Sequence, residues 1–176
     1  FQCAEAEGGV HATGLMLLIA TGMRRGEMLG LMWGFVDLDG ERIFIARQYD
    51  TDKNLREPKT EKSNRIVLLP QFLAEEMQDY LQTLRGIGPE DRLFPVSKGY
   101  LHREMDRGAR GAGVKRIRVH DLRHSAVSLL IDMGFSATAI ADRVGHESID
   151  ITYNYAHLFP SKQAEMADKL NMERSN

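Results

Sequence analysis

Cysteine is almost absent. Cys3 is the only one in 176 residues, so an intramolecular disulfide framework is excluded, and a reducing cytoplasm is the expected compartment. Also missing is any apolar run of the roughly 18–20 residues needed to span a bilayer. No basic n-region with a cleavage site opens the chain, so neither a membrane span nor a signal peptide is expected. There is no internal repeat, low-complexity tract or Ser/Gly/Pro linker, which makes one domain over residues 1–176 the simplest organisation. Several common enzyme signatures are lacking as well: no Gly-Lys-Ser/Thr phosphate loop, no HExxH, no paired CxxC, no GxSxG and no EF-hand loop. The 43% of residues that are hydrophobic nonetheless suffice for one packed core.

Net charge is scarce too. The 23 basic and 25 acidic residues leave −2, which by itself argues mildly against a polyanionic partner. The distribution argues the other way. Residues 42–65 hold seven basic and four acidic side chains, and residues 98–124 hold eight and three, together with His102, His120 and His124. The remainder carries a net −10. Taken singly, such runs are solvated faces. If the fold brings both onto one surface, a positive face would meet nucleic acid and an acidic back would face away.

The spacing of apolar residues predicts a mainly helical α+β domain with a small antiparallel sheet. Residues 12–20 (ATGLMLLIA) read as a buried helix broken by Thr21-Gly22, followed by a short helix from about Met23 to Leu31. Arg42–Gln48 and Arg65–Leu69 have strand character, Trp33–Leu38 suggests a third strand, and Asp39-Gly40 signals a hairpin turn. Residues 49–64 are polar and read as an exposed loop or an extended hairpin tip. Gln71–Leu84 has helical spacing, ended by Gly86, Gly88 and Pro89, and from about Tyr100 onward helices alternate with glycines.

Four polar clusters stand out. In Thr21–Glu27 (TGMRRGE), Arg24 and Glu27 share a helical face, which alone would mean only a helix salt bridge. In HDLRH, His120, Arg123 and His124 cluster on one face. A metal could use the two imidazoles, but no further ligands lie nearby in sequence, and the guanidinium between them suits a phosphate better than a cation. Gly145-His146 precedes Tyr153 and Tyr155, which lie about 200° apart on a helix, so at most one faces a given pocket. Lys59 and Lys62 lie in the polar tip before Arg65. Each cluster is a weak signal by itself.

In order and spacing, however, the set resembles the catalytic domain of the tyrosine recombinases, the phage-integrase family. The resemblance rests on TGMRRGE, a lysine in a β-hairpin, HDLRH, Gly145-His146 and a tyrosine nine residues after that histidine, over about residues 12–160. EPKTEKSNRIVLLP and LRHSAVSLL further resemble integrases of phages and conjugative transposons. The resemblance implies catalytic roles for Arg24, Lys59, His120, Arg123, His146 and Tyr155, with Glu27 and His124 in support and Lys62 the alternative to Lys59. Tyr153 is off the register and is expected to pack. It also implies double-stranded DNA as partner, a homo-tetramer on DNA with the isolated domain monomeric, accessory DNA-bending or excision factors, and no cofactor, metal or membrane. The chain starts almost at the catalytic helix, so an upstream DNA-binding domain is expected to be absent from it. The tail 161–176 could dock on its own domain or on a neighbouring protomer.

The chemistry is consistent with those residue types. Attack of a phenol on a phosphodiester gathers negative charge on the nonbridging oxygens, and arginine presents a planar fork to two of them. Such preorganised charge can do the work of a metal ion. A phenol with pKa near 10 needs a base, for which His120 is the sequence candidate, and the departing 5′ oxygen needs a proton, which a hairpin lysine could deliver. Competing readings are a type IB topoisomerase-like relaxing enzyme, a noncatalytic DNA-binding regulator, and a metal hydrolase built on His120 and His124.

Overall fold

A computed structural model describes residues 10–49, 54–57, 63–159, 166–168, 170 and 172. Helix α1 (Val10–Thr21) is apolar around nearly its whole circumference, and such a helix must be buried on several sides. Ala12, Met16, Leu17 and Leu18 are buried, and the helix packs between α3 (Gln71–Thr83) and α5 (Asp121–Asp132). The next helix, α2, is shorter than the sequence predicts. It runs only from Arg25 to Leu29, because Gly22 turns left-handed and Arg24 stays extended as the cap residue.

The sheet follows the pattern of alternation. Strands β1 (Val36–Asp37), β2 (Arg42–Ile45) and β5 (Arg65–Leu68) form an antiparallel sheet in the order β1-β2-β5, with Ile43 opposite Val67 and Ile45 opposite Arg65. Ile43, Ile45 and Val67 face the core, and the turn at Asp39-Gly40 joins β1 to β2 as expected. Of the predicted Trp33–Leu38 strand only two residues pair, because Trp33–Phe35 coil into a 3-10 turn under Tyr80. Strands β3 (Gln48–Tyr49) and β4 (Leu55–Arg56) form a separate antiparallel ladder, so the polar segment is an extended hairpin. Lys59 and Lys62, expected in the polar tip, follow β4 in the chain and lie outside the described residues.

Helix α4 (Lys98–Gly111) starts earlier than the spacing predicts, since the Ser97 hydroxyl accepts the Tyr100 N–H as an N-cap. Two apolar clusters result. The larger surrounds α1, the sheet and α3. The smaller joins Val127 and Ile131 of α5 to Ile140 and Val144 of α6 (Ala137–Val144), with Tyr155 and Phe159 against it. Helix α7 (Ile149–Tyr153) and a 3-10 turn (Ala156–Leu158) close the described core. Among the described residues no helix is long and apolar enough to cross a membrane.

Candidate active site

Two left-handed glycines and two arginines build the centre of the site. Gly22 (φ +66°) ends α1 and Gly145 (φ +70°) ends α6, and at either position a Cβ would come within 2.7 Å of a neighbouring side-chain atom. The Arg123 guanidinium donates through Nη1 to the carbonyls of Gly22 and Val144, both at 2.6 Å. Arg24 donates through Nη2 to the Gly145 carbonyl at 3.1 Å. The turn after α1 and the turn after α6 are thus gripped from both sides. Nη1 carries both of these Arg123 hydrogen bonds, so Nη2 and Nε are the donors it can offer to an anion.

Beneath Arg24 lies a buried carboxylate. Glu27 accepts the Arg24 backbone N–H at 2.8 Å and its Nη1 at 2.9 Å, so the carboxylate at the third position of α2 reaches back to satisfy the cap residue. Arg65 reaches the same carboxylate from β5, with Nη2 to Oε2 at 2.9 Å and Nη1 to Oε1 at 3.2 Å. Its Nε donates to the Arg143 carbonyl at 3.0 Å, and Nη1 also donates to the Ser63 carbonyl. The side chains of Arg65 and Glu27 are only 7% and 2% exposed. Sequence reasoning missed Arg65. The signal was available in register: Arg65 lies two residues before buried Val67 and so shares its inward face, where a charge requires a partner.

The second half of the site comes from α5 to α7. His120 stands at the start of α5 with its ring 5.2 Å from that of His124, edge to face. The hydroxyl of Tyr155 is hydrogen-bonded to Nδ1 of His124. The residue against the phenol is therefore His124 and not His120, the base expected from sequence. One helical turn separates the two imidazoles, and Tyr155, mounted against the smaller apolar cluster, meets the one further along α5. His146 is buried, with Nδ1 2.7 Å from Oγ1 of fully buried Thr152, a partner the sequence did not single out. Tyr153, expected to pack, is instead 52% exposed on the last turn of α7. Among the described residues no three His, Cys, Asp or Glu side chains gather as a metal cage.

The electrostatics follow from that packing. Burial, followed by the charges of Arg123, Arg24 and Arg65, pushes the His146 imidazole down to about 4, so it is neutral at physiological pH. Burial and the neighbouring Arg24 lower Arg123 to about 10, still protonated. Burial raises the Tyr155 phenol, with Arg123 pulling partly the other way. His120 is lowered by burial and by the charges of His124 and Arg123. For Glu27 burial is the largest influence and opposes ionisation, yet the hydrogen bonds and charges of Arg65 and Arg24 together hold the carboxyl below its ordinary range. The arrangement is a pocket with positive charge at its centre, one neutral imidazole, and a phenol held against another imidazole.

Both basic segments reach the short helix α2. Arg25 of α2 lies 2.8 Å from Nε2 of His102 on α4, and Gly26 lies close to the Tyr49 carbonyl of β3. Much of their charge is neutralised internally, however. Arg42 pairs with Asp37, Arg47 with Glu57, Arg107 with Glu104, Arg116 with Asp106 and Arg118 with Asp121.

Comparison with known proteins speaks to family and fold. The model of the phage integrase family matches residues 3–162. The ICEBs1 integrase of Bacillus subtilis is 34% identical over 168 residues, covering 86% of this chain and 46% of the relative. A putative prophage phiRv2 integrase of Mycobacterium tuberculosis is 27% identical, covering 88% of this chain and 44% of the relative. The chain thus spans about half the length of these relatives. Among solved structures, the Tn1549 transposon integrase in complex with transposon right end DNA superposes over 98% of this chain and 62% of its own (TM-score 0.73, 20% identity). The XerA recombinase superposes over 96% of this chain and 58% of its own (TM-score 0.70, 23% identity). At those identities the likeness is one of fold.

Proposed function

The chain belongs to the phage integrase family, and from that premise we propose that it breaks and rejoins DNA as the catalytic domain of a site-specific tyrosine recombinase. The observation that carries the reading is the convergence of Arg24 and Arg123 on the two glycine turns, beside His146 and within electrostatic reach of Tyr155. In this reading the two guanidiniums and the Nε2–H of neutral His146 hold the nonbridging oxygens of the scissile phosphate. The phenol proton passes to His124, backed by His120, as the Tyr155 oxygen forms its bond to phosphorus. The bond from phosphorus to the 5′ oxygen breaks, and that oxygen takes a proton from Lys59, or from Lys62 in its place. The product is a 3′-phosphotyrosyl link. Attack by a second 5′-hydroxyl reverses the steps on a new strand without ATP, and with no metal in any step.

We read residues 1–176 as one catalytic domain, monomeric in isolation, of a full-length protein that acts in the cytoplasm on double-stranded DNA as a homo-tetramer with accessory factors. An open apolar groove of about 760 Å³ between α1, α3, α5 and α6 supports assembly, lined by Phe72, Leu129, Met133 and Phe135. In the tail, Met166, Leu170 and Met172 expose apolar side chains that a neighbour's groove could take.

The test is a library of nicked duplexes with randomised sequence, followed on a denaturing gel. A covalent protein–DNA adduct is expected, lost in Tyr155→Phe and kept in Tyr153→Phe. The same adduct in Tyr155→Phe would overturn the assignment of the nucleophile. Truncation after Phe159 is expected to reduce assembly on DNA while sparing the adduct.

A further inference from the structure

Arg65 belongs to none of the roles assigned above, yet it makes four hydrogen bonds to three separate segments of the chain: Glu27, the Arg143 carbonyl and the Ser63 carbonyl. It also fills the space beside Gly145, where a Cβ would stand 2.7 Å from its Nη1. We propose that Arg65 is a positioning residue for DNA cleavage, which fixes Arg24 through their shared carboxylate, Glu27. This rests on the recombinase reading above.

The geometry argues for coupling beyond simple packing. Glu27 is 2% exposed and cannot turn to water for compensation. Each of its oxygens accepts from both arginines: Oε1 from Arg24 Nη1 and Arg65 Nη1, Oε2 from the Arg24 backbone and Arg65 Nη2. A movement of β5 is therefore felt at the carboxylate that anchors Arg24. Ser63, whose carbonyl Arg65 also holds, is half of the short 63–64 approach to β5. The charged groups around Glu27 are Arg24 on its own turn, Arg65 from β5 and Arg123 from α5, while His146 senses the same cluster.

Loss of Arg65 leaves the burial of Glu27 opposed by Arg24 and Arg123 alone, which moves the carboxyl upward toward neutrality. As pH falls through the raised value, Glu27 takes a proton and its hold on Arg24 weakens. The experiment is single-turnover adduct formation on the nicked duplex library across mildly acidic to mildly alkaline pH. Protonation of the His124 base gives every variant a shared acid limb, and in Arg65→Met the rate should fall beyond that limb by up to about a further tenfold per pH unit. The extra fall should vanish in the double variant Glu27→Gln/Arg65→Met, which has no proton to gain at that position. A folded Arg65→Met with a profile parallel to wild type overturns the proposal.

If circular dichroism shows Arg65→Met to be unfolded, Arg65→Lys keeps one cation but cannot reach all three segments. The Glu27 carboxyl, followed by carbon NMR, should then titrate at higher pH than in wild type, and an unchanged titration overturns the proposal equally. The NMR titration needs no DNA. A wild type that forms no adduct with any duplex would sink the recombinase reading, while the titration still decides the role of Arg65 at Glu27.

Discussion

At the scale of single residues, His146 shows how the cluster of arginines sets the state of its neighbour. Its imidazole titrates near 4 in the fold, against about 6.5 in an unfolded chain. The folded state therefore binds fewer protons, so its stabilising contribution is complete above pH 6.5 and is lost as pH falls toward 4. Urea midpoints measured through that window should fall more steeply for wild type than for His146→Gln, and parallel curves would refute the assignment. The hydroxyl of Thr152 can donate to Nδ1 and leave the proton of the neutral ring on Nε2, the tautomer that a phosphate needs. Residues of this kind are hard to read from sequence. HDLRH is visible because its members lie on one helical turn, whereas Arg65 and Glu27 are 38 residues apart. Choosing between His120 and His124 as partner of the phenol required knowing where the smaller apolar cluster puts Tyr155, and helical spacing does not contain that.

At the scale of elements, local chemistry was legible and its limits were set by contacts across the fold. The hairpin at Asp39-Gly40, the apolar α1 and the start of α5 follow from turn residues and periodicity. The shortening of α2 and the coil at Trp33–Phe35 come from packing against distant residues. The glycine turns carry the clearest prediction. Gly22→Ala would force a left-handed backbone on an L residue and set its Cβ against Val144. A loss on the order of 1–3 kcal/mol is expected in urea unfolding, with slower adduct formation because the carbonyl that holds Arg123 shifts. Gly134→Ala is the control, with φ +86° but open space around the new Cβ. It should lose stability without losing rate, and equal loss of rate in both would show that backbone strain alone is responsible.

At the scale of the whole molecule, a formal charge of −2 conceals a surface on which Arg42, Arg47, Arg107, Arg116 and Arg118 are each engaged by a carboxylate of the same chain. Binding to DNA should be weak and should fall steeply with salt. Lys115 is exposed and makes no ion pair among the described residues. Lys115→Ala should lower the salt slope of log K by about 0.9 if that lysine meets a phosphate, and Arg118→Ala by less, since Asp121 already offsets it. Fluorescence anisotropy at graded salt distinguishes the two, and identical slopes would contradict the internal pairing. The bonds from Arg24 to Gly145 and from Arg123 to Gly22 span 121 and 101 residues of chain. Gly145 and Tyr155 are both made after Arg24 and Arg123, so the two gripped turns and the phenol come together only once nearly the whole described core has been synthesised. In the recombinase reading proposed above, strand cleavage therefore waits on completed folding of the chain.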